Sequence, residues 1–135
     1  KQRGSKETFT ITPPNLKNAL GSETTTISVN GSHTAGDTTI AIDGFNSDTS
    51  GSLLAGDFLK FSSHTKVYQV VSDVTPSSNA ATVTIEPPLI EALANDSTVT
   101  YDAVPFTVYL TSGVQSYSMG INNLYNYEFD VCEAF

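Results

Sequence analysis

Polar and apolar residues alternate along most of this chain, in short runs separated by turn-forming residues. Alternation with a period of two sends successive side chains to opposite faces of an extended strand, one face to a core and the other to solvent. Thr8-Phe9-Thr10-Ile11-Thr12 follows this pattern, as do Thr25-Thr26-Ile27-Ser28-Val29 and Thr38-Thr39-Ile40-Ala41-Ile42. The pattern predicts nine strands, over 8–12, 25–29, 38–42, 58–61, 66–71, 81–85, 97–101, 106–110 and 125–131.

Turn chemistry separates them. Asn30-Gly31, Asp43-Gly44 and Ala55-Gly56-Asp57 supply residues that tolerate positive φ, and Pro76-Ser77-Ser78-Asn79 reads as a hairpin loop. Pro13-Pro14 and Pro87-Pro88 end strands, because proline lacks the donor that a ladder needs. Leu-Ile-Glu-Ala-Leu-Ala at 89–94 is the one stretch whose spacing predicts a helical turn or two. Many short strands at near-regular spacing indicate an all-β fold, an antiparallel sandwich or a small barrel. The runs 58–61, 66–71 and 81–85 form a β-meander subdomain within it. Residues 1–135 read as a single all-β domain, with about 36–101 standing as an inserted small β-barrel.

Charge narrows the function. The chain carries 6 Lys+Arg against 14 Asp+Glu, a formal net charge of -8. Specific nucleic-acid binding through a basic face is therefore not expected, since few cations are present to displace phosphate counterions. Lys1, Arg3, Lys6 and Lys17 open the chain, Lys60 and Lys66 follow, and every charge beyond Lys66 is acidic. This asymmetry fits a solvated acidic surface, or a basic N-terminal arm that meets the acidic body of a neighbour. No apolar run approaches the ~20 residues of a membrane-spanning helix, so no membrane association is expected. Lys1-Gln2-Arg3-Gly4 is followed by no apolar stretch, so no signal peptide is expected there.

Candidate chemistry is sparse. His33 and His64 sit in turn-like contexts without a nucleophile elbow, and both read as surface turn residues. Cys132 is the sole cysteine, which excludes an internal disulfide and a cysteine-based zinc site; it reads as a buried or interfacial thiol. Asp37, Asp43, Asn46, Asp48 and Asp57 offer oxygen ligands, but their spacing matches no EF-hand loop. No catalytic residue, cofactor or metal is expected.

An ordered series of segments carries a resemblance. It comprises Arg3-Gly4 with Thr8-Phe9-Thr10-Ile11-Thr12-Pro13-Pro14, then Leu53-Leu54-Ala55-Gly56-Asp57-Phe58-Leu59-Lys60-Phe61, and then Lys66-Val67-Tyr68-Gln69-Val70-Val71. Ala81–Ile85 with Glu86-Pro87-Pro88-Leu89, Phe106–Leu110, and Tyr127-Glu128-Phe129-Asp130-Val131-Cys132 complete it. In this order the chain resembles the distal-tail or tail-tip adaptor proteins of tailed bacteriophages. Members begin with a further N-terminal stretch, so residues upstream of Lys1 are expected to be missing. Their tryptophan in the penultimate strand is replaced here by Ser116-Tyr117-Ser118-Met119.

The resemblance implies a non-enzymatic structural subunit of the virion tail. It implies a homo-oligomeric ring, often a hexamer, that joins the tail tube to the hub or fibres and leaves a channel for the genome. Other tail structural proteins would be its partners. The aromatic residues of the C-terminal part suit subunit contacts, because aromatics are enriched at interface cores. Arg3, Phe9, Tyr117, Tyr125, Tyr127 and Phe135 are the candidate interface residues. Strand edges with few lysines are poorly protected against pairing, which also favours assembly. Two alternatives stand beside this reading. The Gly-Asp…Pro-Pro-Leu meander also resembles inserted barrels of phage coat proteins, implying a capsid or neck accessory protein. Tyrosines and acidic loops also suit a carbohydrate-binding adhesion module.

Overall fold

A computed structural model describes residues 7–16, 18–46, 48–112, 116–119 and 125–135. Eleven strands lie among the described residues: β1 (Thr8–Ile11), β2 (Ile27–Val29), β3 (Thr39–Asp43), β4 (Phe58–Phe61), β5 (Val67–Val70), β6 (Ala80–Glu86), β7 (Thr98–Thr100), β8 (Phe106–Leu110), β9 (Ser116–Met119), β10 (Tyr125–Glu128) and β11 (Val131–Glu133). Strands β2–β7 close into an antiparallel barrel in the order β2-β3-β6-β5-β4-β7. The meander expected from the sequence is its β4-β5-β6 section. β1, β8 and β11 form a separate antiparallel sheet with β8 in the centre, and β9 pairs with β10 alone.

The barrel is filled by the alternate residues of its strands. Ile27 and Val29, Ile40 and Ile42, Leu59 and Phe61, Tyr68 and Val70, and Val83 and Ile85 are all buried. Phe45, Leu53, Val74, Leu89 and Leu93 complete this core from the loops. Burying such side chains is the main favourable term in folding, and closure leaves no unpaired edge.

Local chemistry sets the connections. Ser78 and Asn79 take φ of 53° and 63°, the conformation of a two-residue hairpin turn between β5 and β6. The Asp48 carboxylate accepts hydrogen bonds from both of their amides, at 3.0 Å each. Gly44 ends β3 at φ 88°, where a Cβ would lie 2.8 Å from the Thr26 carbonyl oxygen. Only glycine meets both conditions.

Three sequence expectations change here. Residues 89–94 form no helical turn. Leu89 and Leu93 reach the core from a segment tied to the 33–37 loop, with Leu93 N donating to the His33 carbonyl and His33 N to that of Leu93. Their four-residue spacing mimics a helix, but both reach the core from an irregular, bent segment. The run 125–131 is not one strand: it breaks at Phe129-Asp130, because β10 pairs with β9 whereas β11 pairs with β8. β9 was not among the nine predicted strands, since its alternating serines carry little β-signal.

Candidate subunit interface

β8 is five residues long and paired on both sides, so register alone assigns the two faces of its sheet. Phe9 stands opposite Val108, Ile11 opposite Phe106, and Val131 opposite Leu110. These six apolar residues therefore share one face. Thr8, Thr10, Thr107, Tyr109 and Cys132 share the other. Of the apolar six only Val108 is buried; the rest are half-buried. The barrel covers part of this face through Phe58, whose ring meets that of Phe106 edge-on at 5.5 Å. The outer edges of β1 and β11 pair with no strand among the described residues.

The candidate interface residues do not gather in one patch. Phe9 lies on β1, at one edge of the three-stranded sheet, and is half-buried. Phe135 follows β11 at the opposite edge and is 70% exposed. Tyr117, Tyr125 and Tyr127 occupy the β9–β10 ribbon, with Tyr127 opposite Tyr117 and Tyr125 opposite Met119. Arg3 lies outside the described residues. Met119 and Phe129 are 60% and 54% exposed and were not among the expected interface residues. Phe129 was hidden by the expectation of one continuous strand; with a strand break there, it is an exposed apolar residue in the link between β10 and β11.

Cys132 is exposed rather than buried: β11 turns this side chain to the face of Thr8, Thr10, Thr107 and Tyr109, away from the apolar six. A hydrogen bond with Cys132 raises the Tyr109 hydroxyl above the ordinary tyrosine range.

Neither histidine is a surface turn residue. His64 is 4% exposed, with Nδ1 2.9 Å from the Tyr68 hydroxyl and its ring edge-on to Phe61. That hydroxyl also accepts from the Ile90 amide at 3.3 Å, and burial raises the Tyr68 pKa. His33 Nε2 accepts from the Ala41 amide at 3.1 Å, while Nδ1 faces Asp37 at 3.6 Å. Both rings fill backbone and core roles that a short turn-like sequence context does not reveal.

The acidic cluster is distributed among structural tasks. Asp57 is 2% exposed and accepts from the amides of Leu20 (2.6 Å), Leu54 (2.8 Å) and Gly21 (3.2 Å). It pins the strap that leads from β1 into the barrel. Gly21 lies so close to the 52–53 backbone that a Cβ would come within 2.2 Å of the Ser52 carbonyl oxygen. Asp43 accepts from the Ser28 hydroxyl, Asp37 from the Thr34 amide, and Asp48 from the hairpin. Among the described residues no three His, Cys, Asp or Glu side chains converge on a metal-sized site.

Glu23, which the sequence did not single out, is a second buried carboxylate. Burial pushes its pKa up, but hydrogen bonds from the Thr25 amide and hydroxyl and from the amides of Thr24 and Asn46 outweigh this and hold it below the ordinary value. Beside it runs an open cleft of about 470 Å³ lined by Asn18, Ala19, Thr24, Tyr101 and Asp102. The Tyr101 hydroxyl is already spent on the Thr25 carbonyl at 2.6 Å.

Residues 17–104, well over half of the chain, match the family model described as distal tail protein pb9, B domain. The chain belongs to this distal tail protein family. It is accordingly a structural component of the phage virion tail. The matched segment begins within the strap and ends two residues before β8, so it takes in the whole barrel. The distal-tail assignment favours the tail over the capsid or neck. No curated protein matches the chain.

Proposed function

We propose that this distal tail protein is a non-enzymatic, ring-forming subunit at the tail tip that links the tail tube to the hub or fibres. The three-stranded sheet and the β9–β10 ribbon make the subunit contacts, and the barrel is an inserted domain carried by them. One observation carries this reading. The barrel is closed and has its own core, whereas among the described residues the sheet keeps two unpaired edges and a half-exposed apolar face. Open edges and uncovered apolar faces are surfaces that a neighbouring copy can complete.

The topology supports an insertion. β1 and β8 are antiparallel partners, with Ile11 opposite Phe106. The chain therefore leaves the sheet and returns to it at adjacent points, with the whole barrel between. A head-to-tail contact between β1 and β11 edges closes into a ring when the rotation per subunit divides a full turn. Six is the number that the tail resemblance implies.

The test combines negative-stain electron microscopy of the full-length protein with immunogold labelling of virions. Closed rings with an open channel, together with gold at the distal end of the tail, are expected. A strictly monomeric protein, or gold elsewhere on the particle, overturns the reading.

A further inference from the structure

The two lysines of the body, Lys60 and Lys66, both sit where the barrel meets the sheet. Lys60 Nζ donates to the Pro105 carbonyl at 3.2 Å. This contact, the Phe58–Phe106 ring pair and the Thr12 hydroxyl bond to the Ala103 carbonyl lie at the neck, where the chain crosses between the two bodies. β4, which carries Phe58 and Lys60, pairs with β7 just before the 101–105 crossing, so these contacts lie within a few residues of where the chain passes between the bodies.

The second anchor is different in kind. Glu133, on the edge strand β11, forms an ion pair with Lys66 and accepts from the Val67 amide at 2.7 Å. Lys66 Nζ also lies 4.6 Å from the centre of the Phe135 ring. These partners are 66 and 67 residues apart in sequence, and Glu133 reaches the barrel from the edge strand β11 rather than from a point where the chain crosses between the bodies. Both side chains of the ion pair are largely shielded, at 13% and 19% exposure. Val67 pairs with the outward-facing Lys60, and lies outside the barrel's core cluster, yet it is 5% exposed.

We propose that residues 131–135 act as a releasable strap that sets the pose of the barrel on the sheet. The neck is the hinge and the Lys66–Glu133–Phe135 contact is the clasp. One ion pair, one amide hydrogen bond and one cation–π contact make a polar clasp with little apolar area, while each body keeps its own strand pairing. Opening the clasp leaves the barrel folded and free to turn about the neck. This holds in the isolated chain and does not depend on ring formation.

Hydrogen exchange read by mass spectrometry on the full chain tests it. Lys66→Met alters only the barrel side of the clasp, Glu133→Ala removes both the charge and the acceptor for Val67, and Glu133→Gln keeps that acceptor. In Lys66→Met and Glu133→Ala, exchange is expected to rise about tenfold at Val67 and in the neck segments 12–16 and 101–105. Glu133→Gln should give a smaller rise. Peptides covering β3 and β6 should be unchanged. Faster exchange at Val67 with an unaltered neck reduces the contact to a local bond and overturns the strap. Faster exchange across β3 and β6 makes it a folding contact and overturns it equally.

Discussion

The barrel and the three-stranded sheet solve the same problem in opposite ways. Both are antiparallel, and both are built from short strands with alternating apolar residues. The barrel turns its apolar residues onto a shared axis and pairs its first and last strands, β2 and β7, so that every strand has two neighbours. The sheet has a single layer. Its apolar side is only partly covered by the barrel, and among the described residues two of its three strands are edges. A single sheet needs a second layer to bury its face. The difference separates a body that is complete within one chain from one whose apolar face is only partly covered among the described residues, the surface proposed above for subunit contacts.

Substitutions can break that contrast. The largest expected effect is in the barrel. Tyr68→Ala removes the largest fully buried side chain and should destabilise the domain by about 3–5 kcal/mol in thermal or denaturant unfolding. Tyr68→Phe keeps the ring but leaves His64 and the Ile90 amide without their partner, for about 1–3 kcal/mol. Asp57→Ala comes next. It strands two strap amides and that of Leu54 and should cost about 2–4 kcal/mol, with proteolytic cleavage appearing near residues 18–22. A melting temperature unchanged by Asp57→Ala would show that the strap is not pinned by this carboxylate.

Substitutions in the open body should behave differently. Phe129→Asp together with Phe135→Asp should weaken self-association about tenfold or more by sedimentation velocity. Barrel unfolding should shift by no more than about 0.5 kcal/mol. If association is unaffected, the exposed aromatics of the sheet region are not part of the contact.

The smallest effects are electrostatic and distinguish two carboxylates of the barrel. Glu23 has a folded-state pKa below its unfolded value, so its stabilising contribution is fully present above the ordinary glutamate range. It is lost as pH falls through the depressed folded value. Glu23→Gln should flatten this acid limb of the stability profile. Asp48 is lowered by the amides of Asn79 and Ser78 and acts in the same direction. It is fully exposed, so Asp48→Asn should alter the acid limb less than Glu23→Gln does.

Much of the architecture was legible in the sequence because it is local. Period-two alternation located β1–β8 to within two residues at each end, and Ser78-Asn79 marked its hairpin by residue type alone. The candidate interface was legible only in part. Phe9 and Phe135 do lie at opposite edges of the open sheet, but Phe129 and Met119 escaped notice. Their exposure depends on where strands change partner, and residue type does not report that. His64 escaped for a related reason: a histidine between serine and threonine looks solvated until Tyr68, four residues on, is seen to fold back over it.

By itself the sequence determined an acidic, all-β chain of alternating short strands, with turns where proline, glycine and asparagine demand them, and a likeness to distal tail proteins. These properties arise from each residue and its nearest neighbours. Tertiary structure decided which strands close into the barrel, which remain an open sheet, and where the barrel's lysines find their partners. Those outcomes rest on contacts between residues far apart in the chain, such as Ile27 with Val99 and Lys66 with Glu133. Their free energy comes from burial and pairing that exist only once the chain has closed on itself.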